Sequence, residues 1–395
     1  MTSRLERILN LDDFEQAARR HLPRPLMGYV SSVAEDGHTA QASRDAFEDH
    51  QFLPRALVNV SSIELERELL GRRYALPFGI APMGISALSA FRGDRVLAQA
   101  AATAGIPMIV SGSSLTPMED LAGEQGTDWF QAYLPGTPEE VEALLARVTR
   151  AGFRNLVITV DFAVPPNPET HRRHGFSSPL RPSLRLAWDG LVRPRWLFGT
   201  FLRTIIQDGM PHFENNASTR GVAVLSRNVN RDFSGRRHLD WSTLAHVRSH
   251  WSGNLVVKGI LHPDDARRAV ATGADGLIVS NHGGRQLDST VAPLRMLPEV
   301  LKAVDGAVPV MIDGGFRRGS HVLKALALGA DFVFLGRPFN YAASIGGEAG
   351  VARAVQLLAE EIERNMALLG VTNLAELGRE QLRPARSVAG ENQAP

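Results

Sequence analysis

At 395 residues the chain is too long for a typical small domain and suits one barrel of about 250 residues with insertions. A net charge of +1 argues against a nucleic-acid binder with a basic surface. The lack of cysteine excludes disulfides, thiolate metal sites and cysteine nucleophiles, and no metal site is expected. With 44% hydrophobic and 22% charged residues, the composition is that of an ordinary globular enzyme.

The first segment, MTSRLERILNLDDFEQAARR, is charged and helical in pattern, without the apolar core of a signal peptide. No apolar stretch approaches the ~20 residues that cross a bilayer, so a cytoplasmic protein is expected. Residues 1–76 read as an N-terminal helical cap with a hairpin leading into the first strand. From Pro77 to Pro338 short β-rich runs alternate with helical patterns. The predicted strands are Phe78–Ala81, Pro107–Val110, Trp129–Tyr133, Leu156–Val160, Asn254–Lys258, Gly276–Val279, Val308–Ile312 and Phe332–Leu335. Segments such as Pro138–Ala151, Pro263–Thr272 and Gly319–Leu328 carry apolar residues at helical spacing. Repeated βα units imply parallel strands, and eight of them imply an α/β fold, a closed (β/α)8 TIM barrel; a doubly wound open sheet is the rival. Gln131, Tyr133, Thr159, Asp161, Lys258, His282, Arg285 and Asp313 all fall at or just beyond strand C-termini. A barrel gathers those ends at one mouth, so their convergence favours the barrel.

Residues from about 165 to 240 interrupt the rhythm after the fourth strand, within what reads as a single domain spanning 1–395. The insertion carries Arg172, Arg173, Arg181, Arg185, Arg193, Arg195 and Arg203 with Trp188, Trp196, Phe198 and Phe201. It is expected to be a lid that packs Trp196 and Phe201 on the barrel; a membrane or redox-partner contact is the sharper alternative. The tail, 378–395, is expected to meander over the surface.

The chemistry concentrates at Ser280-Asn281-His282-Gly283-Gly284-Arg285-Gln286-Leu287-Asp288, directly after the buried-strand run Gly276–Val279. A neutral imidazole takes a proton near pH 7, and a guanidinium grips a carboxylate with two hydrogen bonds. Together they suit the oxidation of a small 2-hydroxy acid. Farther on, Asp313-Gly314-Gly315-Phe316-Arg317 and Gly336-Arg337 each place glycine and arginine right after a strand, the seventh and eighth, where barrels often hold phosphate. A Gly-Gly after one strand is more often a tight turn; the pair at one place favours phosphate. No GxGxxG fingerprint follows a strand, so a nicotinamide dinucleotide is not indicated. Gln131, Thr159 and Lys258 suit the polar edge of a flavin.

These motifs resemble the FMN-dependent 2-hydroxy-acid oxidase and dehydrogenase family, which includes glycolate oxidase, lactate oxidase and mandelate dehydrogenase. The resemblance runs from Leu22 to about Leu377. It is carried most specifically by SNHGGRQLD at Ser280–Asp288, VKGI at Val257–Ile260 and IDGGFRRGSHVLKALALGADFVFLGRP at Ile312–Pro338. It implies FMN as cofactor and oxidation of an L-2-hydroxy acid, lactate-, glycolate- or mandelate-like or bulkier, to the 2-oxo acid. His282 would be the base beside flavin N5, with Asp161 stabilising its imidazolium. Arg285 would bind the substrate carboxylate, and Tyr133 the substrate hydroxyl. Lys258 would face flavin N1. Ser111, Gln131, Thr159 and Ser280 would meet the ring, with Pro82, Met83 and Gly84 on its N5 side. Asp313, Gly314, Gly315, Arg317, Gly336 and Arg337 would hold the phosphate.

Two departures stand out. Where the family has an N-terminal tyrosine that helps hold the carboxylate, Met27 occupies the substrate-binding place, and Tyr29, two residues on, would need a shifted backbone. Pro168 replaces a family arginine, which costs about 1.5–3 kcal/mol unless a residue such as Arg172 or Arg173 substitutes. The electron acceptor is oxygen, or a quinone or cytochrome. Homotetrameric assembly is implied by the resemblance alone. The alternatives are an altered flavoprotein kept for binding and another FMN barrel that reduces or isomerises its substrate.

Overall fold

The computed structural model describes residues 5–123, 127–167, 169–178, 180–226, 236–237 and 239–385. Eight parallel strands form one sheet: β1 Phe78–Ile80, β2 Ile109–Ser111, β3 Trp129–Ala132, β4 Asn155–Thr159, β5 Asn254–Ile260, β6 Gly276–Val279, β7 Val310–Asp313 and β8 Phe332–Leu335. β1 pairs with β8 through Val333–Phe78, and a parallel bridge between Ile80 and Met108 closes the ring toward β2. Gly79 makes that closure feasible, because a Cβ there would stand 2.6 Å from the Pro107 carbonyl oxygen. The closed barrel is therefore the fold, with Gly276–Val279 and Phe332–Leu335 as predicted and the other strands shifted at one or both ends by one or two residues.

Strand residues alternate between two cores, as the period of two demands. Ile109, Trp129, Val157, Val256, Ile278, Met311, Phe332 and Phe334 fill the barrel interior. Their neighbours Val110, Phe130, Leu156, Val257, Leu277, Ile312 and Val333 join the larger core that includes the surrounding helices. The hairpin Arg67–Leu69 with Arg72–Tyr74 adds Leu69 and Tyr74 to the inner core, and the Trp129 indole N–H donates to the Tyr74 hydroxyl at 3.0 Å.

The tail departs from expectation. Leu382–Pro384 forms an antiparallel pair with His50–Phe52 and buries Leu382; residues 386–395 lie outside the described residues. In the insertion, Trp196 is buried, donates to the Leu88 carbonyl at 2.8 Å and stacks on Phe201, which seats the lid on the barrel end. Four of its other apolar residues behave differently. Leu184, Trp188, Leu191 and Phe198 are all more than 60% exposed, so packing on the barrel leaves part of the lid's apolar surface uncovered.

Candidate active site

Polar strand ends converge on one cavity of about 740 Å³ at the C-terminal mouth. His282 is its centre. It sits at φ 57, a left-handed backbone that a non-glycine residue adopts only when its surroundings hold it there. Its backbone N–H donates to Ser280 Oγ at 3.0 Å, and its Nδ1 lies 2.9 Å from Asp161 Oδ1. That contact assigns the proton to Nδ1 and leaves the Nε2 lone pair toward the Tyr133 hydroxyl, 3.4 Å away. Burial alone would raise the Asp161 pKa, but the His282 imidazole and the Lys258 ammonium outweigh it and hold the carboxylate below its usual range. Burial and the neighbouring Asp161 push the Tyr133 hydroxyl upward, so it stays protonated and able to donate.

Asp161 reaches the ring because of a backbone irregularity. The β5–β6 register shifts between Lys258 and Ile260, and Gly259 there has φ 106. A Cβ on Gly259 would lie 2.8 Å from Asp161 Cβ. Lys258, 4% exposed, turns inward: its ammonium is 2.8 Å from Ser280 Oγ and 2.9 Å from Asp313 Oδ2.

Arg285 lines the cavity with its Nη1 held by the carbonyls of Tyr29 (2.9 Å) and Val30 (3.1 Å), which fixes the plane of the guanidinium. Its Cζ lies 5.0 Å from the Tyr29 ring centroid. Met27 does not line the cavity. It is buried in the outer core, because the helix Arg24–Val30 turns that face inward and presents Tyr29 to the mouth. The Tyr29 ring stacks on Phe176 at 4.6 Å, and its hydroxyl is 3.2 Å from where a Gly84 Cβ would lie. Helix phase thus brings Tyr29, and not Met27, to the cavity wall.

The second departure resolves differently from expectation. Pro168 lies outside the described residues, Arg172 is exposed, and Arg173 pairs with Glu169 at 2.6 Å. Neither arginine lines the cavity, whereas Arg236 and Arg237, from the far end of the insertion, do. The Arg236 Cζ stands 4.9 Å from the Tyr133 ring centroid and 5.4 Å from that of Phe162. His171 also lines the wall, and burial, with Arg285 and His174, drives its pKa down to about 4. Sequence reading missed Arg236, Arg237, His171 and Phe162. Of these, only Phe162 carried a signal, its place immediately after Asp161.

At the opposite end Gly314, Gly315, Gly336, Arg317 and Arg337 line the floor. Gly315 has φ 87, and a Cβ there would meet the Ser43 carbonyl oxygen at 2.5 Å. Arg337 donates to the carbonyls of Gly283 (2.6 Å) and Ser32 (3.1 Å) at the start of the helix Arg337–Leu369. Burial, then the nearby Arg285, lowers its pKa to about 9. Arg317, 8% exposed, faces Asp12 at 3.4 Å and Glu15 at 3.8 Å. Cations crowded so closely at a helix N-terminus complement an anion such as phosphate. Along the strand ends, Gln131 Nε2, Thr159 Oγ1 and Asp313 Oδ1 are buried without a hydrogen-bond partner. Pro82, Met83, Gly84 and Ser111 complete this side, and Ser111 Oγ donates to Gln131 Oε1 at 3.3 Å.

Residues 18–384 match the family model described as FMN-dependent dehydrogenase. The chain belongs to this family. It is 35% identical over 384 residues to (S)-mandelate dehydrogenase of Pseudomonas putida, covering 95% of this chain and 94% of that protein. L-lactate dehydrogenase of Stenotrophomonas maltophilia (strain R551-3) is 39% identical over 380 residues, 94% of this chain and 97% of its own length. The crystal structure of monotopic membrane protein (S)-mandelate dehydrogenase superposes with a TM-score of 0.84 at 34% identity, covering 96% of this chain and 100% of that one. The protein is an FMN-dependent oxidoreductase of the 2-hydroxy-acid dehydrogenase and oxidase class, as the motifs implied. The residues present fit FMN: unpartnered Gln131 Nε2, Thr159 Oγ1 and Asp313 Oδ1 match a polar ring edge, and the glycine–arginine floor matches a phosphate.

Proposed function

We propose that the protein oxidises an L-2-hydroxy acid with a bulky apolar side chain to the 2-oxo acid, using His282 as base. The observation that carries this reading is the Asp161–His282–Tyr133 chain beside Arg285 in one cavity. When bound, FMN supplies the two-electron acceptor, and the residues of the chain do the rest. Arg285, fixed by the Tyr29 and Val30 carbonyls, holds the substrate carboxylate, and Arg236 takes the second place that Pro168 cannot fill. Tyr133 donates to the substrate hydroxyl. His282 Nε2 takes a proton from the substrate, and Asp161 stabilises the resulting imidazolium. Lys258 would place a cation near the flavin and stabilise negative charge that develops there. Tyr29, Met83, Phe162, Val164 and Phe176 line the wall and suit an aryl or branched side chain better than a methyl.

The electron acceptor in this reading is a quinone at a membrane surface rather than oxygen. Leu184, Trp188, Leu191 and Phe198 project outward amid exposed Arg181, Arg185 and Arg195, a pattern suited to an anionic interface. Among the described residues no helix is long and apolar enough to cross a membrane. Assembly as a homotetramer rests on the resemblance alone, and the mass in solution decides it.

Anaerobic mixing with L-mandelate and L-lactate, followed by flavin bleaching, tests the reaction. Mandelate is expected to bleach the flavin at lower concentration. His282→Ala should slow bleaching by about 10²–10⁴-fold with FMN retained; a rate near that of the parent protein would refute the assignment of the base.

A further inference from the structure

Away from the mouth, the helix Trp241–His250 places His246 and His250 four residues apart, on one face. Their rings stand 4.3 Å apart, centroid to centroid. Glu142, on the adjacent helix Pro138–Ala151, meets both: its Oε1 is 3.2 Å from His246 Nε2 and 3.6 Å from His250 Nε2. One ligand atom from each residue lies within 4.8 Å of the other two.

An ion pair between Glu142 and one imidazole accounts for only part of this arrangement. The His246 Nε2 atom is buried and, although close to the carboxylate, makes no hydrogen bond with it. The His250 Nδ1 lies 2.9 Å from the His246 carbonyl oxygen and 3.0 Å from Ser249 Oγ, so its hydrogen bonding is met on that side of the ring while Nε2 faces the carboxylate. A single proton can bridge only one of the two imidazole nitrogens to the carboxylate oxygen that both face. A cation among the three atoms satisfies all of them. In a tetrahedral site with metal–ligand bonds of about 2.0–2.1 Å, ligand atoms stand about 3.3 Å apart, close to both Glu142 distances.

We propose that Glu142, His246 and His250 bind a divalent transition-metal ion, with two imidazole nitrogens, one carboxylate oxygen and a water as ligands. This donor set fits Zn2+. Glu142 lies on the helix between β3 and β4, and the two histidines lie on the helix that leads from the lid into β5. The ion would therefore clasp the helices on either side of the lid's exit from and return to the barrel. Its role is to brace, since the site lies apart from the cavity residues.

The test uses the untagged, FMN-loaded protein, freed of metal by a chelator and then titrated calorimetrically with zinc chloride. One equivalent should bind saturably, and the thermal midpoint should rise by about 3 °C at saturation. His250→Gln, Glu142→Gln and His246→Ala should each abolish that equivalent and the rise, while FMN content and substrate-dependent bleaching stay unchanged. Failure to take up zinc, uptake that survives all three substitutions, or binding with no change in the midpoint would overturn the proposal. Bleaching reports separately on the reading of the active site.

Discussion

His282 holds a strained backbone because three partners converge on it: Ser280 below, Asp161 behind and the Tyr133 hydroxyl in front. Removing the charge behind the ring should show in the rate. Asp161→Asn replaces a charge-assisted hydrogen bond worth about 1.5–3 kcal/mol, so anaerobic flavin reduction should slow by about 10- to 150-fold with FMN content unchanged. Arg236→Ala should weaken substrate binding by about 10-fold or more, while Arg172→Ala leaves it unaltered, read from the substrate dependence of bleaching; equal effects would remove Arg236 from the site. His282 and Arg285 were legible because a proton acceptor and a carboxylate clamp follow a buried strand directly. Met27 misled because a family position was transferred along the sequence, whereas the phase of a short helix decides which side chain reaches the mouth. Arg236 carried no local sign, since only the path of the insertion brings it over Tyr133.

Asp288, at the end of the His282 loop, ties that loop to the N-terminal cap. Its carboxylate accepts from the backbone N–H groups of Asp36, Gly37, His38 and Thr39, capping the helix His38–Asp45 from another part of the chain. Burial opposes ionisation here, but the N–H groups of Thr39, Ser289 and His38 outweigh it and bring the pKa from 3.8 to about 2. A depressed carboxylate contributes stability that is fully present above about pH 4 and is lost as the pH falls through about 2. Asp288→Ala should therefore destabilise the protein by about 1–2 kcal/mol at neutral pH, and the difference from the parent should vanish near pH 2 in denaturant titrations. An unchanged midpoint at neutral pH would contradict this cap. Gly284 belongs to the same junction, because a Cβ there would stand 2.7 Å from the Ala40 nitrogen. The motif announced the loop; its docking on the cap was not legible, because the partners of Asp288 are backbone groups, which are alike in every sequence.

Across the whole molecule, the lid has two faces. Trp196 and Phe201 bind it to the barrel, and Leu184, Trp188, Leu191 and Phe198 leave an apolar, arginine-flanked surface outward. The parent protein should sediment with anionic phospholipid vesicles and be released by salt, and Trp188→Glu combined with Leu184→Glu should leave it in the supernatant with its bleaching rate intact. If the parent protein stays in solution, the membrane reading fails. The paired tail carries a related lesson. Leu382 is an isolated apolar residue in a weakly patterned segment, and only the distant edge at His50–Phe52 makes a strand of it.

What the amino-acid order determined by itself was whatever depends on near neighbours. Eight apolar runs alternating with helical patterns imply parallel strands, and the polar residues that end them favour a common mouth, so the barrel, the imidazole and the glycine–arginine floor could be read from near neighbours. The tertiary structure alone decided which distant side chains complete that mouth. Helix phase puts Tyr29 there in place of Met27, the return path of the insertion brings in Arg236, and a bulge at Gly259 lets Asp161 reach His282. Each depends on contacts between segments far apart in the chain, and local periodicity carries no record of those.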